Sequence, residues 1–128
     1  MDRINIKELL QKNFGDRFEF HPDFYKEFEE LVLNSGQEKR IVRAFIAKLR
    51  AIIDLGDIDF GIKWLEQLKN YDNMYSLHID TNNQNYRLLF SKKDNNKYFL
   101  HMFFERSGKK ATSYDKHVQI ALERRDNN

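Results

Sequence analysis

The sequence predicts an α+β fold: a small, mostly antiparallel four-stranded sheet, preceded by a helical hairpin and followed by a terminal helix. Three observations carry that expectation. Residues 22 to 55 hold two successive apolar stripes of helical period. Residues 75 to 90 switch to period two, and the run from Tyr98 to Phe104 is apolar at both alternations.

In Met1 to Phe14, Ile6, Leu9, Leu10 and Phe14 recur at near-helical spacing, which predicts a short accessory helix ended by Gly15. Residues 15 to 128 then read as one domain. Arg17 to His21 alternates with Phe18 and Phe20 on one face, as a short first strand would. Pro22 and Asp23 open a helix whose buried stripe is Phe24, Phe28, Leu31 and Val32, closed by Asn34-Ser35-Gly36. Ser35 with Glu38 reads as the capping box of a second helix, with Ile41, Phe45, Leu49, Ile52 and Ile53 inward and Gly56 at its end. Two such helices joined by a tight turn form an antiparallel hairpin. Phe60 to Leu68 has no resolved period and reads as a short helical turn or a packed loop that fills the core.

From Met74 the strands begin. Tyr75, Leu77 and Ile79 alternate with Ser76, His78 and Asp80; beyond the polar loop Thr81 to Asn85, Tyr86, Leu88 and Phe90 alternate with Arg87 and Leu89. Pairing Ile79 with Tyr86 brings the apolar sets to one face and sets His78 opposite Arg87 on the other. A second turn, Lys93 to Lys97, leads into Tyr98 to Phe104, which reads as a central strand covered on both faces. Its register is open: in one, His101 and Glu105 share the face of Arg87, and in the other Arg106 does. Ser107 and Gly108 break the strand, and Arg106, Lys109 and Lys110 make the following loop cationic. Thr112-Ser113 with Asp115 predicts the cap of a last helix that turns Tyr114, Val118, Ala121 and Leu122 inward, before a polar tail from Glu123.

Composition bounds the function. A chain of 128 residues with 41% hydrophobic and 14% aromatic residues can bury a core, so its mean hydropathy of −0.77 reflects charge. With no cysteine, disulfide and thiolate chemistry are excluded. No apolar run approaches the ~20 residues of a membrane span and the amino terminus is not signal-like, so the cytoplasm is the expected compartment. The net charge of +2 is uneven: residues 1 to 73 hold 12 basic and 14 acidic side chains, residues 74 to 128 hold 10 and 6. That asymmetry points to a polyanionic partner or to an ordinary solvated surface.

No metal-ligand spacing links His21, His78, His101 and His117, and no glycine-rich phosphate loop or nucleophile elbow occurs, so no metal or cofactor is expected. What remains is Arg87, Arg106, Lys109 and Lys110 with His78, His101 and His117. Such a set can cleave RNA, whose own 2′-hydroxyl is the nucleophile, by moving protons and stabilising charge on the phosphate. Each residue also has a bland reading. Arg87 could pair with Asp80 or another acid, the strand histidines could be structural, and Lys109 and Lys110 could be a solvated turn. Lys39, Arg43 and Arg50 share a face of the second helix, as phosphate contacts or as a solvated surface.

The words FEFHPDFYKEFEEL, MYSLHID, NYRLLF, YFLHMFFERSGKK and HVQIALERR, in this order and spacing, resemble the RelE/ParE superfamily of type II toxin–antitoxin toxins, closest to its HigB-like, phage-derived branch. The resemblance covers Phe18 to Arg125. It implies a RelE-like sheet with a helical hairpin, and a ribosome-dependent, metal-independent messenger RNA endoribonuclease that inhibits translation and is neutralised by a cognate antitoxin. By position it implies Arg87 as the stabiliser of the transition state, with His78 and Arg106 beside it in catalysis. Lys109 and Lys110 would bind the RNA backbone, with Lys39 and Arg43 as further contacts. The chain departs from the family where Glu105 replaces a usual base, Met102 a common glycine, and the proline before the last helix is missing. A ParE-like inhibitor of gyrase without nuclease activity, or a non-catalytic interaction module, is the alternative.

Overall fold

The computed structural model describes residues 5–55, 62–81, 85–94, 96–105 and 110–127. In chain order the elements are α1 (Ile6–Phe14), β1 (Phe18–Phe20), α2 (Pro22–Leu33), α3 (Glu38–Leu55), β2 (Leu65–Gln67), β3 (Tyr75–Asp80), β4 (Asn85–Lys93), β5 (Asn96–Glu105) and α4 (Lys110–Asp126). The class is α+β, as expected. The sheet, however, has five strands and not four, in the order β1-β5-β4-β3-β2, and one pairing, β1 with β5, is parallel.

The additional strand is β2, in the segment whose sequence shows no period. It pairs Leu65 with Leu77 and Gln67 with Tyr75 at the outer edge of the sheet. Three residues are too few for an alternation to be read, and its hold on the sheet comes from backbone bonds such as His78 N to Trp64 O at 2.8 Å. The return turn is locked by Asn73, which adopts φ 51°. Its side-chain amide donates to Lys92 O at 2.8 Å and its side-chain oxygen accepts from Lys92 N at 2.9 Å, tying the turn to β4.

The β3–β4 hairpin has the expected register, with Ile79 opposite Tyr86 and His78 opposite Arg87. In β5, Phe103 stands opposite Arg87 and His101 opposite Leu89, but Phe90 pairs with Phe99, so Leu100 is an extra residue in a β-bulge. The bulge shifts the alternation by one. Phe99 and Met102 thereby enter the core under α1 to α3, while Tyr98, Leu100 and Phe103 enter the core under α4. This is the physical origin of the two-sided apolar run.

Helices cover both faces of the sheet. On one, Phe99 sits fully buried among the rings of Phe18, Phe20, Phe24, Phe45 and Phe90, with centroids 4.9 to 6.1 Å away. Ile6, Leu10 and Phe14 of α1 are buried in the same cluster, so α1 is built into this core. On the other face α4 lays Tyr114, Val118 and Ala121 onto Met74, Leu89, Leu100 and Phe103.

The helix ends correct two expected caps. Ser35 bonds Gln37 N at 3.0 Å and donates to Val32 O at 2.6 Å, so it braces the turn between α2 and α3 without forming a box with Glu38. α4 begins at Lys110, ahead of Thr112-Ser113, and continues through the expected polar tail to Asp126. Gly15, the C-cap of α1, and Gly36, in the turn between α2 and α3, take positive φ of 60° and 78°, which glycine adopts without a steric cost. Gly56, the expected stop of α3, lies outside the described residues.

Phe99→Ala is expected to lower unfolding free energy by about 3–5 kcal/mol, the cost of emptying a fully buried aromatic site. Deleting residues 1 to 15 is expected to lower stability as well, because it uncovers the surface beneath Ile6, Leu10 and Phe14. Urea denaturation measures both; midpoints equal to that of the parent chain would contradict this account of the core.

Candidate active site

Two polar clusters lie on the α4 side of the sheet. In the first, alternation along β4 turns Tyr86 and Leu88 into the larger core and leaves Arg87 between them on the opposite face, only 8% exposed. Arg87 Nε donates to Glu105 Oε2 at 2.8 Å, and Nη1 donates to Asp80 Oδ1 at 2.7 Å and to Tyr86 O at 3.0 Å. Burial opposes its charge, yet the bond and field of Asp80, reinforced by Glu105, hold the guanidinium pKa above its ordinary value. One arginine thus ties three adjacent strands, β3, β4 and β5, at one end of the sheet.

His78 stands across from Arg87, and its Nε2 lies 3.8 Å from Glu66 Oε1 on β2. Tyr114 O–H lies 3.1 Å from Ser76 Oγ, and burial pushes its pKa up to about 12, so it is a neutral hydroxyl. Beside this cluster, Glu66 to Tyr71 and the first turns of α4 at Tyr114 and Asp115 line a cleft of about 530 Å³. Carboxylates outnumber the buried cation here. Arg87 Nε and Nη1 are held by carboxylates, and Asp80 is the one placed to exchange for a phosphate oxygen, since its side chain is 57% exposed against 9% for Glu105.

The second cluster was not foreseen as a unit. Strand β1 ends at Phe20, paired with Phe99, while β5 continues to Glu105, so the β5 backbone beyond Phe99 has no neighbouring strand on that side. Two side chains take the place of the missing strand. Glu27 of α2 accepts from Met102 N at 3.1 Å, and Arg124 of α4 donates to Leu100 O at 2.7 Å. The two also pair with each other, Nη1 to Oε1 and Nη2 to Oε2, both at 2.9 Å.

From this pair a chain of imidazoles leads outward. His101 Nδ1 lies 2.7 Å from Glu27 Oε2, and His101 Nε2 lies 2.6 Å from His117 Nδ1. The His117 ring lies flat on Phe103, with centroids 4.0 Å apart and planes at 6°. Burial tends to raise the Glu27 pKa, but the bonds from His101 and Arg124 hold it below its usual value. Burial first, then repulsion from His101 when that ring is protonated and from Lys116, lower His117 to about 4 against the opposing pull of Glu27. At neutral pH the cluster is a carboxylate, a guanidinium and a neutral His117.

The expected site residues therefore separate. His78 and Arg87 face each other. Lys39 and Arg43 are exposed on α3, whose buried side packs on the opposite face of the sheet, so they do not join Arg87. Arg106 and Lys109 lie outside the described residues, and Lys110 is the first residue of α4, its side chain outside them too. Glu27 and Arg124 gave no sequence signal, because one reads as the polar face of a helix and the other as a charged tail. Among the described residues no group of three or more His, Asp or Glu is placed to hold a metal ion.

The lowered His117 pKa carries a stability sign. The unfolded imidazole takes up its proton near pH 6.5 and the folded one only near 4, so stability is full above 6.5 and falls with pH through that window. Glu27 adds to the loss only below the usual 4.5 of its unfolded carboxyl. His21, also lowered by burial and by Arg124, contributes the same sign, so the comparison has to be between variants. Urea midpoints at pH 7.5 and pH 5 should differ more for the wild type than for His117→Phe; parallel losses would refute the assignment.

No family model, no curated protein and no solved structure matches this chain.

Proposed function

We propose that this chain is a HigB-like toxin of the RelE/ParE superfamily, a ribosome-dependent, metal-independent endoribonuclease on messenger RNA, neutralised by a cognate antitoxin protein. The observation that carries the reading is the Arg87 and His78 pair on one sheet face, bonded through Glu105 to the end of β5, where the sequence runs straight into Arg106, Lys109 and Lys110. The order of strand, helical hairpin, antiparallel strands and terminal helix is also the order that the resemblance implies. No helix among the described residues is long and apolar enough to cross a membrane.

In this reading a phosphate oxygen of the bound message replaces Asp80 on Arg87, while Glu105 keeps the guanidinium oriented. The 2′-oxygen attacks phosphorus and the planar fork holds the charge that develops on the equatorial oxygens. The basic residues that follow β5 bind the flanking backbone. One observation favours a second reading: Arg87 is already satisfied by two carboxylates, as a structural arginine would be, which suits a ParE-like gyrase inhibitor without nuclease activity.

Inducing the wild type and Arg87→Ala in cells, with mapping of message 5′ ends and assay of plasmid supercoiling, separates these. The expected result is cuts within translated regions that fall by about 10²–10³ in the variant. Arg87→Lys, which keeps a cation beside both carboxylates but loses the fork, controls for folding and antitoxin binding. Intact messages with altered supercoiling would establish the gyrase reading, and neither effect would leave a folded interaction module.

A further inference from the structure

We propose that Glu27, His101 and His117 form a proton relay, and that His117 Nε2 is the general base that removes the proton from the RNA 2′-hydroxyl; this rests on the nuclease reading and names the base within it. The argument begins with proton bookkeeping at Glu27. Its carboxylate accepts from Met102 N and from both terminal nitrogens of Arg124, so it is ionised and His101 Nδ1 must be the donor to Oε2. The approach of Arg124 Nη1 to His101 Nδ1 at 3.3 Å is then a contact and not a bond, because both Nη1 hydrogens already go to Glu27 and Leu100.

In the proposed resting state His101 is the neutral ring, and its Nε2 lone pair accepts from His117 Nδ1–H across 2.6 Å. His117 is thereby fixed in the tautomer whose Nε2 is a bare acceptor. His117 is partly exposed, and among the described residues its Nε2 has no hydrogen-bond partner. This is the arrangement of a base oriented by a second group, with a carboxylate behind it. Its place fits as well. Phe103, on which the His117 ring lies, is the residue directly opposite Arg87 across β4 and β5, so base and cation occupy adjoining positions on one face.

The step balances. The 2′-hydroxyl proton passes to His117 Nε2 as the 2′-oxygen bonds to phosphorus; the Nδ1 proton of His117 moves to His101 Nε2, and the resulting imidazolium is held against Glu27. The bond from phosphorus to the 5′-oxygen breaks and that oxygen takes a proton from water; the hydroxide left behind removes the proton from His117 Nε2, and the proton on His101 Nε2 returns to His117 Nδ1, restoring the relay. The products are a 2′,3′-cyclic phosphate and a 5′-hydroxyl. Among the described residues the charged and titratable groups facing the relay are His21 at the start of α2, Glu27 of α2, His101 of β5, and Lys116 and Arg124 of α4.

The test uses the full chain with purified ribosomes programmed with a defined message, under single turnover. His117→Phe keeps the stack on Phe103 but has no ring nitrogen, and is expected to keep its melting temperature while cleavage falls by about 10²–10⁴. His101→Gln, acting only through its neighbour, should shift the acid limb of the pH–rate profile and leave the cleavage site unchanged. A folded His117→Phe that cuts at the wild-type rate overturns the assignment and leaves the nuclease reading standing; wild-type protein that never cuts overturns the nuclease reading itself. Nitrogen-15 NMR of the wild type needs neither activity nor a variant: protons on Nδ1 of both imidazoles are expected, and a proton on His117 Nε2 in the neutral ring overturns the relay.

Discussion

The structure depends on how the open side of β5 is closed. β1 is three residues long and β5 is ten, so most of the longer strand faces helices where a strand would otherwise supply hydrogen bonds. A buried amide or carbonyl without a partner costs about 1–3 kcal/mol, and the edge beyond Phe99 would hold several. Glu27 and Arg124 answer this with one carboxylate and one guanidinium that also neutralise each other. Because Glu27 comes from α2 and Arg124 from α4, the same bonds fix the two helices that cover opposite faces of the sheet. The position of His101, and through it of His117, follows from that arrangement.

Arg87 obeys the same rule within the sheet. A charged group that is nearly buried needs partners, and Asp80 and Glu105 come from the strands on either side. Removing either carboxylate would leave part of a buried charge uncompensated, whereas exchanging exposed Asp80 for another anion would not. The cluster can therefore hold the fold together without ligand and still accept a phosphate, because both states satisfy one guanidinium.

Periodicity made much of this legible in the sequence. The facing of His78 and Arg87 followed from matching two apolar alternations, because a slip of one residue would have turned both sets of buried side chains to the wrong face. The two successive helices α2 and α3 followed from their stripes. The β-bulge at Leu100 was not readable, since an apolar residue on either face satisfies a strand that is covered on both sides. Nor was β2, whose three residues are recruited by the edge of β3 and not by a pattern of their own. Glu27 and Arg124 are 97 residues apart, and nothing in either neighbourhood marks it as a partner for the other. His101 looked like a residue caught in an apolar run; only the third dimension supplies the carboxylate on one side of it and a second imidazole on the other.

The parallel pairing of β1 with β5 sets the order in which the chain can fold. Phe18 pairs with Lys97 and Phe20 with Phe99, so the first strand finds its place only after β5 exists. Closing so long a loop is entropically costly and slow, while α2 with α3 and the β3–β4 hairpin are local and can form early. During synthesis the aromatic core around Phe99 stays open until β5 has left the ribosome, and the Glu27 to Arg124 closure waits for the final turns of α4. A nascent chain therefore lacks the assembled imidazole chain until α4 has been translated.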